Sequence, residues 1–203
     1  MNTTEFTALM VLATAMSFSP GPNTTLCAAL GANQGFRRTL PFIASVVTGW
    51  GLLLCLCAVG VGALVVALPG VGLAMKLLGA AYLLWLAARL ARSRTMGSAD
   101  GALEDVGFMQ GVALQFVNIK AWMLALAIVS GWIAGSANPG ARFAMVLPVM
   151  MLFGLASNVL YALVGALLRE WLSGPDGSHA RLAWFNRLMA AVLAFTAAWM
   201  LWR

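Results

Sequence analysis

Six long apolar runs constrain this chain more than any other feature. Each has about the 20 residues that are needed to cross a hydrocarbon core roughly 30 Å thick. Hydrophobic residues make up 62% of the 203 residues and charged residues only 9%, far from the rough half and quarter of globular domains. The sequence therefore predicts an all-α integral membrane protein with six transmembrane helices. The predicted spans are residues 6–32, 40–68, 71–90, 112–133, 143–168 and 182–202.

The longest connection between these spans, about residues 91–111, is too small for a separate aqueous domain. We therefore expect one transmembrane domain, residues 1–203. Two segments resemble each other, "KLLGAAYLLWLAARL" at 76–90 and "RLMAAVLAFTAAWML" at 187–201. They predict a repeat of three spans, with halves at about 1–95 and 106–203. Because three is odd, the halves must cross the membrane in opposite directions, as an inverted pair.

The basic residues predict the orientation. No Lys or Arg precedes the first apolar run, which we therefore interpret as a retained span rather than a cleaved signal peptide. By the positive-inside rule, the loops after spans 1, 3 and 5 are cytoplasmic and both termini are periplasmic. These cytoplasmic loops hold Arg37, Arg38, Arg89, Arg92, Arg94, Arg169 and Arg181. The opposite side receives Arg142, Arg203 and Lys76.

Several classes of partner are not expected. The net charge of +6 comes from residues that flank apolar spans, so nucleic-acid binding is not predicted. The three cysteines, Cys27, Cys55 and Cys57, are interpreted as packing residues, and His179 as a solvated loop residue. No metal site and no cofactor are predicted, since the spans after Glu5 contain no acidic residue. Membrane lipid is an expected partner, and a homodimer is compatible with such a chain.

The segment "SFSPGPNTT", residues 17–25, interrupts the first apolar run. Pro20 and Pro22 lack N–H donors, and their rings clash with the carbonyls four residues back. The sequence therefore predicts a break in the first helix at Pro20-Gly21-Pro22, which frees the carbonyls of Met16 and Phe18.

A new helix can begin at Pro22, which leaves the N–H groups of Asn23, Thr24 and Thr25 free at the positive end of a helix dipole. Carbonyl oxygens suit an ammonium group, and free N–H groups suit a carboxylate. The break is thus a candidate binding site for a zwitterion such as an amino acid. The alternative is a kink that only shapes packing.

Three polar side chains are predicted at one depth in the bilayer. Counting helical rises, Lys120 lies roughly 12 Å from the edge of span 4, Asn23 about 13 Å from that of span 1, and Asn158 about 15 Å from that of span 5. A charge at that depth is costly and is usually functional. We expect the three to meet, although Lys120 could instead extend its ammonium to the interface.

"SPGPNTTLCAALGANQGFRR" and "FVNIKAW" resemble the two signatures of the LysE/RhtB family of amino-acid exporters. "ALQFVNIK" more closely resembles the branch that includes cysteine and O-acetylserine exporters. Ile119 stands where the family usually has proline, so we expect span 4 to be the more continuous one. The motif positions carried over by the resemblance are Pro20, Gly21, Pro22, Asn23, Asn118 and Lys120.

The resemblance implies a secondary transporter, not an enzyme, that exports small amino acids or derivatives across a bacterial inner membrane by proton antiport. The cargo would be threonine- or homoserine-like, or cysteine- or O-acetylserine-like. Without a buried carboxylate, the site should prefer neutral zwitterions. We expect Lys120 or the free N–H groups to hold the carboxylate, and Asn23, Asn118 and the freed carbonyls to receive the amine.

Other functions remain open at this stage. A thiol-redox carrier would use Cys27 with Cys55 or Cys57. A small cation or metal exporter would protect cells from a divalent metal. An intramembrane enzyme would need an unusual serine or lysine chemistry, because the spans offer neither His nor Asp.

Overall fold

The computed structural model describes residues 1–93, 107–174 and 179–202. Arg94, Arg203 and the predicted boundary between the repeats lie outside these residues. Every regular element in the described ranges is helical. In chain order the helices are α1 Thr3–Phe18, α2 Pro22–Gln34, α3 Phe36–Ala58, α4 Val61–Ala67, α5 Pro69–Arg92, α6 Phe108–Val117, α7 Ile119–Ile128, a π-helical turn Val129–Ile133, α8 Pro139–Ser173 and α9 Ala180–Trp202.

Four of these helices, α3, α5, α8 and α9, are long and apolar enough to cross a membrane by length and composition. The pair α6 and α7, with its π-helical turn, makes a fifth span if it is counted as one. Helix α1 is apolar but shorter. The described chain is therefore a multi-pass helical membrane protein, and its sixth span depends on counting α1 and α2 together.

The break in the first helix is confirmed. A capping box starts α1, in which the Asn2 side chain accepts a hydrogen bond from the Glu5 N–H at 2.7 Å and the Glu5 carboxylate accepts one from the Asn2 N–H. Helix α1 ends at Phe18, and α2 begins with Pro22 at its first position. Proline is favoured there because the first helical N–H has no acceptor within the helix.

Span 4 is broken, although Ile119 in place of proline led us to expect the more continuous span there. Helices α6 and α7 meet at Asn118 with a bend of 67°. Asn118 leaves the helical conformation, and its side-chain oxygen accepts a hydrogen bond from the Lys120 N–H at 3.1 Å. The freed carbonyl of Phe116 accepts the indole N–H of Trp122 at 2.9 Å. An asparagine cap thus breaks this span without a proline, since its side chain replaces the missing helical acceptor.

Span 2 also differs from its predicted range of 40–68. Helix α3 begins earlier, at Phe36, and ends at Ala58. Gly60 follows with a φ of +98°, a conformation that side-chain-bearing residues rarely adopt, and α4 is a separate short helix. The hydrophobicity that extends to residue 68 therefore does not belong to one helix.

Helices α2 and α8 cross at backbone contact. A Cβ added to Gly31 would collide with the Ala162 carbonyl, and one added to Gly165 would collide with the Ala28 carbonyl. Only glycine permits such an approach. Beyond this crossing, the side chains of Asn33 and Asn186 exchange two hydrogen bonds of 2.8 and 3.0 Å, so α2 is also joined to α9.

The buried apolar side chains form two main clusters. One surrounds α2, α3, α5 and α9 and includes Leu26 and Val46. The other surrounds α1, α3, α7 and α8 and includes Trp50 and Ala121. Residues near the two breaks pack against both clusters: Val117 and Ile119 against the first, and Met16 and Phe116 against the second.

Candidate functional site

A cavity of about 70 Å³ lies where the two broken helices meet. Its wall combines residues on either side of both breaks with the middle of α3 and α8. Seven of the eight predicted site residues line it, namely Gly21, Pro22, Asn23, Thr24, Asn118, Lys120 and Asn158. Pro20 is exposed and is not part of the wall. The structure thus brings together side chains from three predicted spans.

Lys120 closes the first break. Its ammonium group donates to the Ser19 carbonyl at 2.9 Å and to the Ser19 hydroxyl at 2.8 Å, across 101 residues of sequence. Its side chain packs against Gly21, where an added Cβ would lie 3.3 Å from Cδ and Nζ. The half-buried Lys120 therefore points into the protein rather than toward the interface. Two of its three ammonium hydrogens are engaged, which leaves one for a ligand.

The carbonyls freed by the break already have partners. The Phe18 carbonyl accepts the Tyr161 hydroxyl at 2.9 Å, and the Met16 carbonyl accepts the Ser19 hydroxyl at 3.2 Å. This corrects the expectation that they face cargo. A break in an apolar bundle must satisfy its own backbone first, because an unpaired buried carbonyl is costly.

The first turn of α2 offers fewer donors than expected. The Thr25 N–H donates to the Gly21 carbonyl at 2.9 Å, so it belongs to the helix and is not free. The Thr24 hydroxyl is engaged with the Gly21 backbone, whose N–H it accepts at 3.0 Å. The backbone N–H groups of Asn23 and Thr24 remain as the first-turn donors, since Pro22 has none.

Asn118 and Asn158 are buried at the wall and both have structural partners. Asn118 caps α7 through its side-chain oxygen. The Asn158 amide donates to the Gly154 carbonyl at 2.7 Å, and its oxygen accepts the Cys27 thiol at 3.3 Å. Each amide keeps part of its hydrogen-bonding capacity for the cavity.

The cysteines of the redox alternative are dispersed. Cys27 lies in the cluster around α2, whereas Cys57 lies in the cluster around α3 and α7. All three cysteines are free thiols. This arrangement does not favour a thiol relay that uses Cys27, because disulfide exchange requires sulfurs in direct reach of each other.

Sequence reasoning missed Gln115 as a site residue. Gln115 lines the cavity wall on α6, is fully buried, and exchanges two hydrogen bonds of 3.0 Å with Asn23. A signal was present, because an amide in an apolar run, one helical turn before the Asn118 break, is costly unless it has a partner.

Among the described residues that line the cavity, Lys120 is the only one with a positively charged side chain, and none of them carries a carboxylate. The wall otherwise combines amides with apolar side chains such as Val46, Trp50 and Leu124. A single fixed positive charge beside amide groups attracts a carboxylate but offers no partner for a cationic side chain.

These features define a class, a multi-pass membrane protein with a small polar cavity between two broken helices. The sequence matches the LysE type translocators over residues 14–202, and the chain belongs to that family.

Three similar proteins carry the name cysteine/O-acetylserine efflux protein. That of Klebsiella pneumoniae subsp. pneumoniae is 28% identical over 199 residues, 97% of each chain. That of Salmonella paratyphi A is 31% identical over 156 residues, 76% of this chain and 78% of its own. That of Escherichia coli O1:K1 is 28% identical over 171 residues, 84% of this chain and 87% of its own. No solved structure matches the chain significantly.

Proposed function

We propose that this protein is a secondary transporter that exports small neutral amino acids or their derivatives. The observation that carries the proposal is the meeting of both helix breaks around one small cavity with a single cationic side chain, Lys120. Membership of the LysE type translocators supports it. The names of the similar proteins favour cysteine- or O-acetylserine-like cargo over threonine- or homoserine-like cargo.

The proposed binding mode follows from the donors and acceptors that remain. The substrate carboxylate is held by the third ammonium hydrogen of Lys120 and by the first-turn N–H groups of Asn23 and Thr24. The substrate ammonium is received by the side-chain oxygen of Asn23. Because the described wall has no carboxylate, a second positive charge on the cargo has no partner, so lysine and arginine are disfavoured.

We also propose the membrane location, the topology and the energy coupling of this transporter. The protein lies in a bacterial inner membrane as one domain of six spans, with α1 and α2 forming the first, and with both termini periplasmic. Two inverted repeats, about 1–95 and 106–203, are supported by one broken helix in each half. Transport is proposed to be coupled to proton antiport, which predicts that an imposed pH gradient accelerates efflux from vesicles.

The test is efflux of labelled L-cysteine from proteoliposomes that contain equal amounts of wild-type or Lys120→Met protein. We expect at least a tenfold loss, because a hydrogen bond to a charged group is worth about 1.5–3 kcal/mol. Lys76→Met is the matched control, since Lys76 is the other lysine of the chain and does not line the cavity. Undiminished efflux in Lys120→Met would contradict the proposed site.

Two further measurements separate the proposal from its rivals. Replacing Cys27, Cys55 and Cys57 together by alanine should leave export in place, whereas a thiol carrier would lose its function. Cells that overproduce the protein should resist an excess of cysteine or O-acetylserine. Protection against a divalent metal, without protection against amino acids, would favour a metal exporter instead.

A further inference from the structure

Gln115 has the most constrained polar side chain at the cavity. Its amide nitrogen donates to the Asn23 side-chain oxygen at 3.0 Å and to the Gly111 carbonyl at 3.2 Å, and its oxygen accepts the Asn23 amide at 3.0 Å. Both amide hydrogens are thus used. Gln115 has no exposed surface, whereas Asn23 is half-buried at the wall.

The Gly111 carbonyl fixes which way both amides point. A carbonyl can only accept, so the Gln115 nitrogen must face it rather than the Gln115 oxygen. The nitrogen then also faces Asn23, which must present its own oxygen in return. If either amide were rotated by 180°, two oxygens or two nitrogens would face each other.

The neighbouring helix keeps Gln115 in this position. A Cβ added to Gly49 of α3 would lie 2.8 Å from the Gln115 Cγ atom and 2.9 Å from the Val112 Cα atom. The glycine therefore makes the room in which the Gln115 stem lies, and the tight crossing of α3 and α6 leaves the side chain little freedom.

The fixed orientation has a consequence at the cavity. With one lone pair of its oxygen and one N–H engaged by Gln115, Asn23 keeps one acceptor and one donor for a ligand. Their positions cannot exchange. The acceptor suits a substrate ammonium, and Lys120 together with the start of α2 supplies the donors for a carboxylate.

We propose that Gln115 is the positioning residue through which the cavity selects α-amino acids over the same molecules without an ammonium group. It acts through Asn23 and does not contact the substrate. This inference rests on the proposed export of neutral zwitterions, and it adds the residue that fixes the orientation of the Asn23 amide.

The test compares L-cysteine with 3-mercaptolactate, its α-hydroxy analogue, as competing substrates in proteoliposomes. Gln115→Met keeps the side-chain length but removes the amide. We expect the KM for cysteine to rise roughly tenfold to a hundredfold, with Vmax little changed, as for the loss of one charge-assisted hydrogen bond. The affinity for 3-mercaptolactate should stay within about twofold, so the discrimination between the two falls.

Gln110→Met is the matched control, because Gln110 lies on the same helix but is exposed. It should leave the discrimination unchanged. If Gln115→Met protein cannot be purified, Gln115→Asn poses the same question, since the shorter side chain cannot reach both Asn23 and the Gly111 carbonyl. A swap, Gln115→Asn with Asn23→Gln, preserves the combined length of the pair and should restore part of the discrimination.

The outcomes separate this inference from the proposed function. Cysteine export by the wild-type protein, with unchanged discrimination in Gln115→Met and Gln115→Asn, would overturn the role of Gln115 alone. An equal loss for both substrates would show a structural role and would also overturn it. Absence of cysteine and O-acetylserine export by the wild-type protein would overturn the proposed function, and the inference with it.

Discussion

The two halves of the first broken helix are held in different ways. Only two of the sixteen residues of α1 are buried, Leu9 and Ala13. In α2, eleven of thirteen are buried. Helix α2 packs by backbone contact against α8 and is joined to α9 by an amide pair. Helix α1 packs against the second apolar cluster through Leu9 and Ala13, and polar contacts hold its two ends.

Those contacts come from three other elements. Near the break, α1 is held by Lys120 and Tyr161. At its start, Trp132 donates to the Glu5 carbonyl at 2.9 Å and Arg142 forms an ion pair with the Glu5 carboxylate at 2.7 Å. The cavity therefore has one wall in a tightly packed half and another in a tethered half. A few hydrogen bonds can be exchanged more easily than an interlocked backbone can be separated.

The largest effect is expected in the packed half. Gly31→Val would force a branched side chain into the Ala162 carbonyl, and the helices would have to separate. Overpacking of this kind costs about 1–3 kcal/mol or more, so we expect a strong loss of purified, monodisperse protein and a lower Tm in detergent.

Gly72→Val is the control for this substitution, because Gly72 is also helical and has no neighbour within 4 Å of an added Cβ. It carries the same change in helix propensity without the collision. Equal stability of the two variants would show that the backbone contact between α2 and α8 does not stabilise the protein.

A smaller effect is expected at the tether next to the break. Tyr161→Phe removes the hydroxyl that the Phe18 carbonyl accepts and should lower the free energy of unfolding by about 1 kcal/mol. Hydrogen exchange should increase at the end of α1 and remain unchanged in α2. Tyr82→Phe is the control, since Tyr82 lies on α5 away from the break. Faster exchange throughout α2 would show that the two halves are not independent.

The break at Pro20 and Pro22 could be predicted because a missing N–H is a local property of the sequence. The break at Asn118 could not, since Ile119 does not interrupt a helix. The break is caused by the Asn118 side chain, which caps α7 in place of the backbone acceptor that a continuous helix would supply. Hydropathy likewise predicted where α5 and α9 lie but merged α3 with α4, because a single positive φ at Gly60 ends α3.

The candidate site was predictable in its members but not in its bonding. Equal depth along the spans placed Asn23, Lys120 and Asn158 in one layer, and all three line the cavity. Which carbonyls and N–H groups stay free depends on contacts between helices distant in sequence. Gln115 depends on such a contact as well, since the space for it is made by Gly49 of α3.

The smallest effect is expected at the other end of α1. The hydrogen bond from Arg142 holds the pKa of the Glu5 carboxyl below its ordinary value, and the Asn2 N–H adds to this. When α1 is released, that pKa returns to its ordinary value. The ion pair therefore stabilises the start of α1 fully at pH values above the ordinary pKa, and this contribution is lost as the pH falls through the lowered pKa.

A ¹³C carboxyl NMR titration of Glu5 should show a low midpoint that Arg142→Gln raises. Arg181→Gln removes a charge at a distant site and should leave the midpoint unchanged. Because Glu5 is partly exposed, salt should weaken the shift. A midpoint at the ordinary value, unmoved by Arg142→Gln, would mean that the ion pair does not help to hold the start of α1.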